Sequence, residues 1–233
     1  MTELSKGGRS YYRLYIWEAP VRMFHWVNVL CVVVLAVTGY MIATPPALRE
    51  ASEAYQSFWF GWVRFTHFAA AYIFVVNIAV RAYWAFAGNR FARWSNYVPY
   101  RREHWREIGA YLKRYLLLTV RVPVVLAESR LQSTTYALML LFVAFQVVSG
   151  FGMYAAMSES WFPQLFAWIV PLMGGDMAVR QWHHLVMWVI LVFAIIHIYL
   201  VFFTDWIERR AVFSSIVNGW KFFEKGESEG DLR

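Results

Sequence analysis

The stretch 181–203, QWHHLVMWVILVFAIIHIYLVFF, carries His183 and His197 inside one long apolar run, fourteen residues apart. In an α-helix that interval turns through about 1400°, so the two side chains end only about 40° apart in azimuth and roughly 21 Å apart along the axis. Two imidazoles therefore look out of one helix face at two depths of a bilayer whose hydrocarbon core is about 30 Å thick. Neutral imidazole is a good ligand for haem iron, and ligands stacked in this way point to two haems forming a path across the membrane. His184 is thirteen residues from His197 and points about 140° away, the wrong phase for that role. It reads as a packing or supporting residue.

The rest of the chain agrees with a membrane setting. Of its 233 residues, 60% are apolar, 20% aromatic and only 16% charged, a balance far from that of a soluble domain. Four stretches are long and apolar enough to cross a bilayer, approximately His25–Ala43, Phe65–Ala87, Tyr136–Ala156 and His184–Thr204. A fifth run near Tyr111–Ala127 is broken by Lys113, Arg114, Arg121 and Pro123 and reads as an interfacial amphipathic segment. The expected fold is an all-α, multi-pass integral membrane protein. It is a four-transmembrane-helix bundle forming a single domain over 1–233. The first twenty residues carry charges and no apolar core, so a cleaved signal peptide is not expected. Cys31 is the sole cysteine, and no C-x-x-C-H is present for covalent haem attachment, so any haem is expected to be b-type and non-covalent.

Basic residues set the expected orientation. The loop Gly88–Ser133 holds nine Lys or Arg, whereas the two other connections hold Arg49 and Arg180 respectively. Both tails are basic too, with Lys6, Arg9, Arg13 and Arg22 in front and Arg209, Arg210, Lys221 and Lys225 behind. The positive-inside rule then puts both termini and the central loop in the cytoplasm. The formal charge of +7 follows from topology and anionic lipid headgroups, and nucleic acid is not invoked as a partner.

This topology pairs the histidines by depth: His67 with His183 at the outer side, His25 with His197 at the inner side. Histidines within membrane spans are uncommon and usually functional. The plainer alternative is that they only hydrogen-bond between helices. Arg22, Arg64 and Arg180 each precede a histidine by three residues, on the same helix face. Each could fork onto a haem propionate or merely anchor a helix end by snorkelling. Arg81 lies within the second span, fourteen residues after His67, where an inner propionate or lipid phosphate would answer its charge. Gly39, fourteen residues beyond His25, and Gly150, with Gly152 beside it, could let a porphyrin approach the backbone. Ordinary small-residue packing is the alternative. His104, in the basic loop beside Trp105, reads as a plain interfacial residue. The connection Glu159–Trp182 contains WFPQLFAWIVPLMGG. Its prolines at 163 and 171 forbid a clean span, yet it is too apolar to sit free in water. It reads as a ledge that docks a partner, lies among headgroups, or covers the bundle end.

The stretches YIWEAPVRMFHWVNVLCVVVLAVTGY, GWVRFTHFAAAYIF, RAYWAFAGNR, WHHLVMWVILVFAIIHIYL and IVNGW together resemble the b-type cytochrome subunit of membrane-bound nickel-iron uptake hydrogenases. The likeness covers nearly the whole chain; formate dehydrogenase cytochrome b subunits are more distantly similar. The resemblance implies two haems b, with iron ligands at His25, His67, His183 and His197. It also implies an anchor, in the bacterial cytoplasmic membrane, for the iron–sulfur small and nickel-iron large subunits of a periplasmic hydrogenase. Electrons would run from the iron–sulfur clusters to quinone, as one step of a respiratory chain. With one cysteine, the chain cannot itself build a nickel-iron or iron–sulfur centre. It is therefore expected to be an electron-transfer subunit without a hydrogen-activating site. Two rivals stand beside this: the cytochrome of another dehydrogenase, such as formate dehydrogenase, or a non-redox anchor or transporter. No internal repeat of the kind transporters show is visible beyond the arginine–histidine spacing.

Overall fold

Four long helices carry the apolar runs: α1 (Ala19–Ala43), α2 (Trp59–Ala87), α4 (Arg130–Ala155) and α7 (Asp176–Glu208). The computed structural model describes residues 2–6, 9–45, 58–89, 91–94, 102–117, 130–208 and 211–224. With 25, 29, 26 and 33 residues, each long helix exceeds the roughly 20 needed to span a bilayer. All backbone groups inside such a helix pair internally, as a hydrocarbon surrounding requires. Their outward surfaces are apolar: Leu30, Val33, Val76, Leu141, Val192 and Ile195 are all exposed. In water such surfaces would have to be hidden; in lipid they are the solvent-facing side.

The helices begin earlier than the apolar spans, at Ala19, Trp59, Arg130 and Asp176. Each of Arg22, Arg64 and Arg180 thus lies inside a first or second helical turn, and hydropathy alone misses these polar entries. The interfacial segment becomes α3 (Arg102–Leu117), starting nine residues ahead of the apolar run; 118–129 lie outside the described residues. His104 on α3 is buried at 7% exposure.

An all-α fold needs correction. The chain is mostly helical but carries a three-stranded antiparallel sheet in the order β1 (Thr2–Lys6), β2 (Arg9–Tyr15), β3 (Trp220–Glu224). Tyr12 pairs with Phe223 and Tyr15 with Trp220. β2 and β3 are aromatic-rich, as strands are, but all three segments are too short and too charged to stand out from the basic tails.

By contacts the chain forms two compact units whose boundaries fall within the long helices. The first comprises 1–25, 81–139 and 197–233. Its core is Ile16, Trp17, Val21, Ala92 and Phe223, with Leu14, Trp84, Phe91 and Ile216 packed on it. Glu18 fastens this core: its Oε2 accepts from Trp84 Nε1 at 2.9 Å and from the Asn89 amide at 3.0 Å. Asn89 donates to the Ile16 carbonyl at 2.9 Å and accepts the Phe91 and Ala92 amides at 3.1 and 3.0 Å. The short helix α8 (Val212–Asn218) ends at Gly219, whose φ of 91° is left-handed. A Cβ there would lie 2.4 Å from the Tyr15 ring and 2.7 Å from the Trp17 carbonyl oxygen, so only glycine fits. Its own carbonyl takes the Ile16 and Trp17 amides at 2.9 and 3.2 Å. Three of the motifs quoted above, YIWEAP, RAYWAFAGNR and IVNGW, therefore converge on one cluster.

The second unit comprises 26–80 and 140–196. Between α4 and α7 the chain makes two single helical turns, α5 (Trp161–Gln164) and α6 (Ile169–Leu172), in place of a span. Phe151 of α4 packs on Phe162 and Phe166, with ring centres 5.0 and 5.9 Å away. A Cβ on Gly152 would fall 2.1 Å from Ile169 Cγ2, so that glycine serves the seating of this ledge. Gly174 and Gly175, at φ of 89° and 110°, then reverse the chain into α7.

Candidate metal centres

Each unit holds one histidine pair. In the first, His25 of α1 and His197 of α7 face each other with ring centres 6.4 Å apart. Two metal–imidazole bonds of about 2 Å, plus roughly 1 Å from each nitrogen to its ring centre, span about 6 Å. The pair thus already has the spacing of two ligands on one iron. Tyr136 of α4 adds its hydroxyl 3.5 Å from His197 Nδ1, ring centres 5.8 Å apart.

In the second unit, His67 of α2 and His183 of α7 lie within electrostatic reach of one another. Their surroundings match closely. Thr38 Oγ1 lies 2.9 Å from His67 Nδ1, and Ser149 Oγ lies 2.8 Å from His183 Nδ1. The residue after each hydroxyl is glycine, and each glycine faces the same ring. A Cβ on Gly39 would stand 3.1 Å from His67 Cε1, and one on Gly150 3.2 Å from His183 Cε1. The ring that the structure places beside each glycine is an imidazole. A hydroxyl–glycine step on one helix and Arg-x-x-His on the other therefore recur in the α1–α2 and α4–α7 hairpins. Sequence reading found only the arginine–histidine half of this repeat. The missing signal was Thr-Gly and Ser-Gly near the ends of two spans, whose partners stand 29 and 34 residues away.

The arginines fall into different settings. Arg22 donates to the Val217 carbonyl, while its Nε is buried without a hydrogen-bond partner among the described residues. A buried cationic donor left open in this way suits an anionic group such as a propionate. Arg81 donates to the Ala92 carbonyl at 3.3 Å, its guanidinium 5.9 Å from the Phe24 ring centre. Arg64 reaches Met157 Sδ at 2.9 Å. Arg180 is already paired with Asp176 at 2.6 Å, both side chains about half exposed. His184 Nε2 accepts from Trp188 Nε1 on its own helix at 3.1 Å.

Among the described residues, no group of three or more His, Cys, Asp or Glu converges as a bare metal ion would require. Histidines that come in twos would suit an iron whose other positions a macrocycle fills.

The family described as prokaryotic cytochrome b561 matches this chain over residues 16–219. A "Probable Ni/Fe-hydrogenase B-type cytochrome subunit" of Cupriavidus necator is 41% identical over 221 residues, covering 93% of this chain and 90% of that protein. The protein of the same name from Azotobacter vinelandii is 37% identical over 215 residues, with 91% and 89% covered. The "Probable Ni/Fe-hydrogenase 1 B-type cytochrome subunit" of Escherichia coli K12 is 34% identical over 219 residues, with 91% and 92% covered.

Proposed function

The chain belongs to the prokaryotic cytochrome b561 family, and on that footing we propose that it is the diheme membrane subunit of a nickel-iron hydrogenase. In this reading it anchors the enzyme's small and large subunits at the periplasmic face of a bacterial inner membrane. It carries electrons from their iron–sulfur clusters to quinone. Hydrogen is oxidised to two protons and two electrons on the partner, and quinone takes up two electrons and two protons.

The observation that carries the proposal is the 6.4 Å separation of the His25 and His197 rings, set beside a second buttressed pair in the other unit. His67 and His183 hold the outer haem, and His25 and His197 the inner one. Bound haem supplies a one-electron iron couple. Arg22 and Arg81 offer positive charge to the inner haem, Arg64 and Arg180 to the outer. For Arg180 this means exchanging Asp176 for a propionate. Gly39 and Gly150 act through the rings they admit. Both termini and the 88–133 loop face the cytoplasm, consistent with their basic residues. The apolar ledge, with Trp161, Leu165, Trp168 and Leu172 exposed, suits a docking surface or the headgroup layer.

The test is a membrane preparation holding the chain with its hydrogenase partner. Hydrogen should develop a reduced b-type spectrum, and added quinone should bleach it. His67→Ala or His183→Ala should remove one haem, His25→Ala or His197→Ala the other, and His184→Ala neither. A chain purified with its partner and showing no Soret band would leave only the anchor role.

A further inference from the structure

The second unit carries a detail that the ligand assignment does not use. Thr38 Oγ1 sits 2.6 Å from the carbonyl oxygen of Val34, and Ser149 Oγ sits 2.6 Å from that of Phe145. A carbonyl cannot donate, so each of these short contacts requires the hydroxyl proton. A hydroxyl has one proton. Its remaining contact, to His67 Nδ1 at 2.9 Å or His183 Nδ1 at 2.8 Å, must then receive a proton from the ring. Both imidazoles are thereby held as the Nδ1–H tautomer, which leaves Nε2 unprotonated; for His67 the Leu35 backbone is a second hydrogen-bond partner. The following glycine admits the neighbouring ring atom, Cε1, to 3.1 or 3.2 Å of where a Cβ would stand. Consecutive residues thus fix two adjacent atoms of each ring, which sets its plane as well as its tautomer.

We propose that Thr38 and Ser149 are positioning residues that hold His67 and His183 with Nε2 presented to iron and lower the midpoint potential of the haem these two histidines share. The inference rests on the ligand assignment proposed above. Accepting the Nδ1 proton pushes electron density onto the ring and makes Nε2 a stronger donor. A stronger donor favours the oxidised iron. Because both histidines are treated alike, the two effects would act in the same direction.

The experiment is a redox titration of the complete complex bearing Thr38→Val or Ser149→Ala, with haem content and low-spin EPR recorded on the same samples. Each variant should keep two haems. The outer haem's midpoint should rise by up to about tenfold in the reduction equilibrium, 59 mV for a one-electron couple, while the inner haem stays put. Its EPR anisotropy should change as the ring planes relax, and Thr38→Ser should restore both readouts. Should Thr38→Val fail to assemble, Ser149→Ala reports on the same iron through the other ligand. Two haems with an unshifted outer midpoint in Ser149→Ala would overturn the positioning role while leaving the ligands intact. Retention of both haems in His183→Ala would instead remove the ligand assignment, and this proposal with it.

Discussion

Gly150→Ala is a perturbation whose size can be worked from contacts already given. The added Cβ would lie 3.2 Å from His183 Cε1, 3.9 Å from Nδ1 and 4.0 Å from Nε2. Carbon atoms rest at about 3.5–4.0 Å, so the ring must retreat by roughly 0.3–0.8 Å, or the helices must part. Retreat is opposed by Ser149, which holds Nδ1 at 2.8 Å and would be stretched toward the limit of a hydrogen bond, about 3.2 Å. Metal–ligand distances in a well-formed site stay within about 0.2 Å of their usual values. Overpacking of this kind costs about 1–3 kcal/mol. At 1.4 kcal/mol per tenfold, that is a loss of roughly 5- to 150-fold in outer-haem affinity. Alanine also favours a helix over glycine by about 0.5–1 kcal/mol, but this acts on haem-free and haem-bound chains alike and cancels from the affinity. The assay is haem transfer to a competing apoprotein, followed at the Soret band. Gly109→Ala on α3 is the control, because its Cβ would meet nothing within 4 Å. Equal haem retention by Gly150→Ala and the parent would show that the His183 ring is not pinned as described.

Three further outcomes are expected. Gly39→Ala, with its Cβ 3.1 Å from His67 Cε1, should weaken the same haem as Gly150→Ala; loss of the inner haem instead would refute the pairing. Positive charge near a haem favours its reduced form, so Arg22→Gln and Arg81→Gln should lower the inner midpoint, and Arg64→Gln and Arg180→Gln the outer. Arg180 should give the smaller shift, since Asp176 already offsets it and solvent screens both; redox titration reads all four. Cysteines placed in the 88–133 loop should label only from the cytoplasm and those in 158–176 only from outside, and the reverse pattern would invert the topology.

Hydropathy was enough for four membrane helices, because a bilayer demands long apolar runs and little else satisfies them. Helical phase singled out His183 over His184, and the structure engages His184 with Trp188 on the same helix. What stayed illegible was whatever depends on residues remote in sequence. Thr38 and Ser149 look like ordinary hydroxyls bonding back to their own helix; only the fold brings an imidazole to each. Gly39 and Gly150 were marked as places of close approach, but pattern alone cannot say which ring approaches. The sheet was missed because its strands lie at opposite ends of the chain, each reading by itself as a charged tail.

That last arrangement bears on the order in which the protein is made. β2 finds its second neighbour only in residues 220–224, and the Ile16 and Trp17 amides wait for the carbonyl of Gly219. Glu18 likewise cannot engage Trp84 and Asn89 until the first helical hairpin has been synthesised and inserted. Closure of this unit therefore waits for residues far along the chain, a non-local pairing of the slow-forming kind. A chain stalled before Trp220 would leave β2 with an open edge, the kind of surface that makes an unfinished chain prone to aggregate.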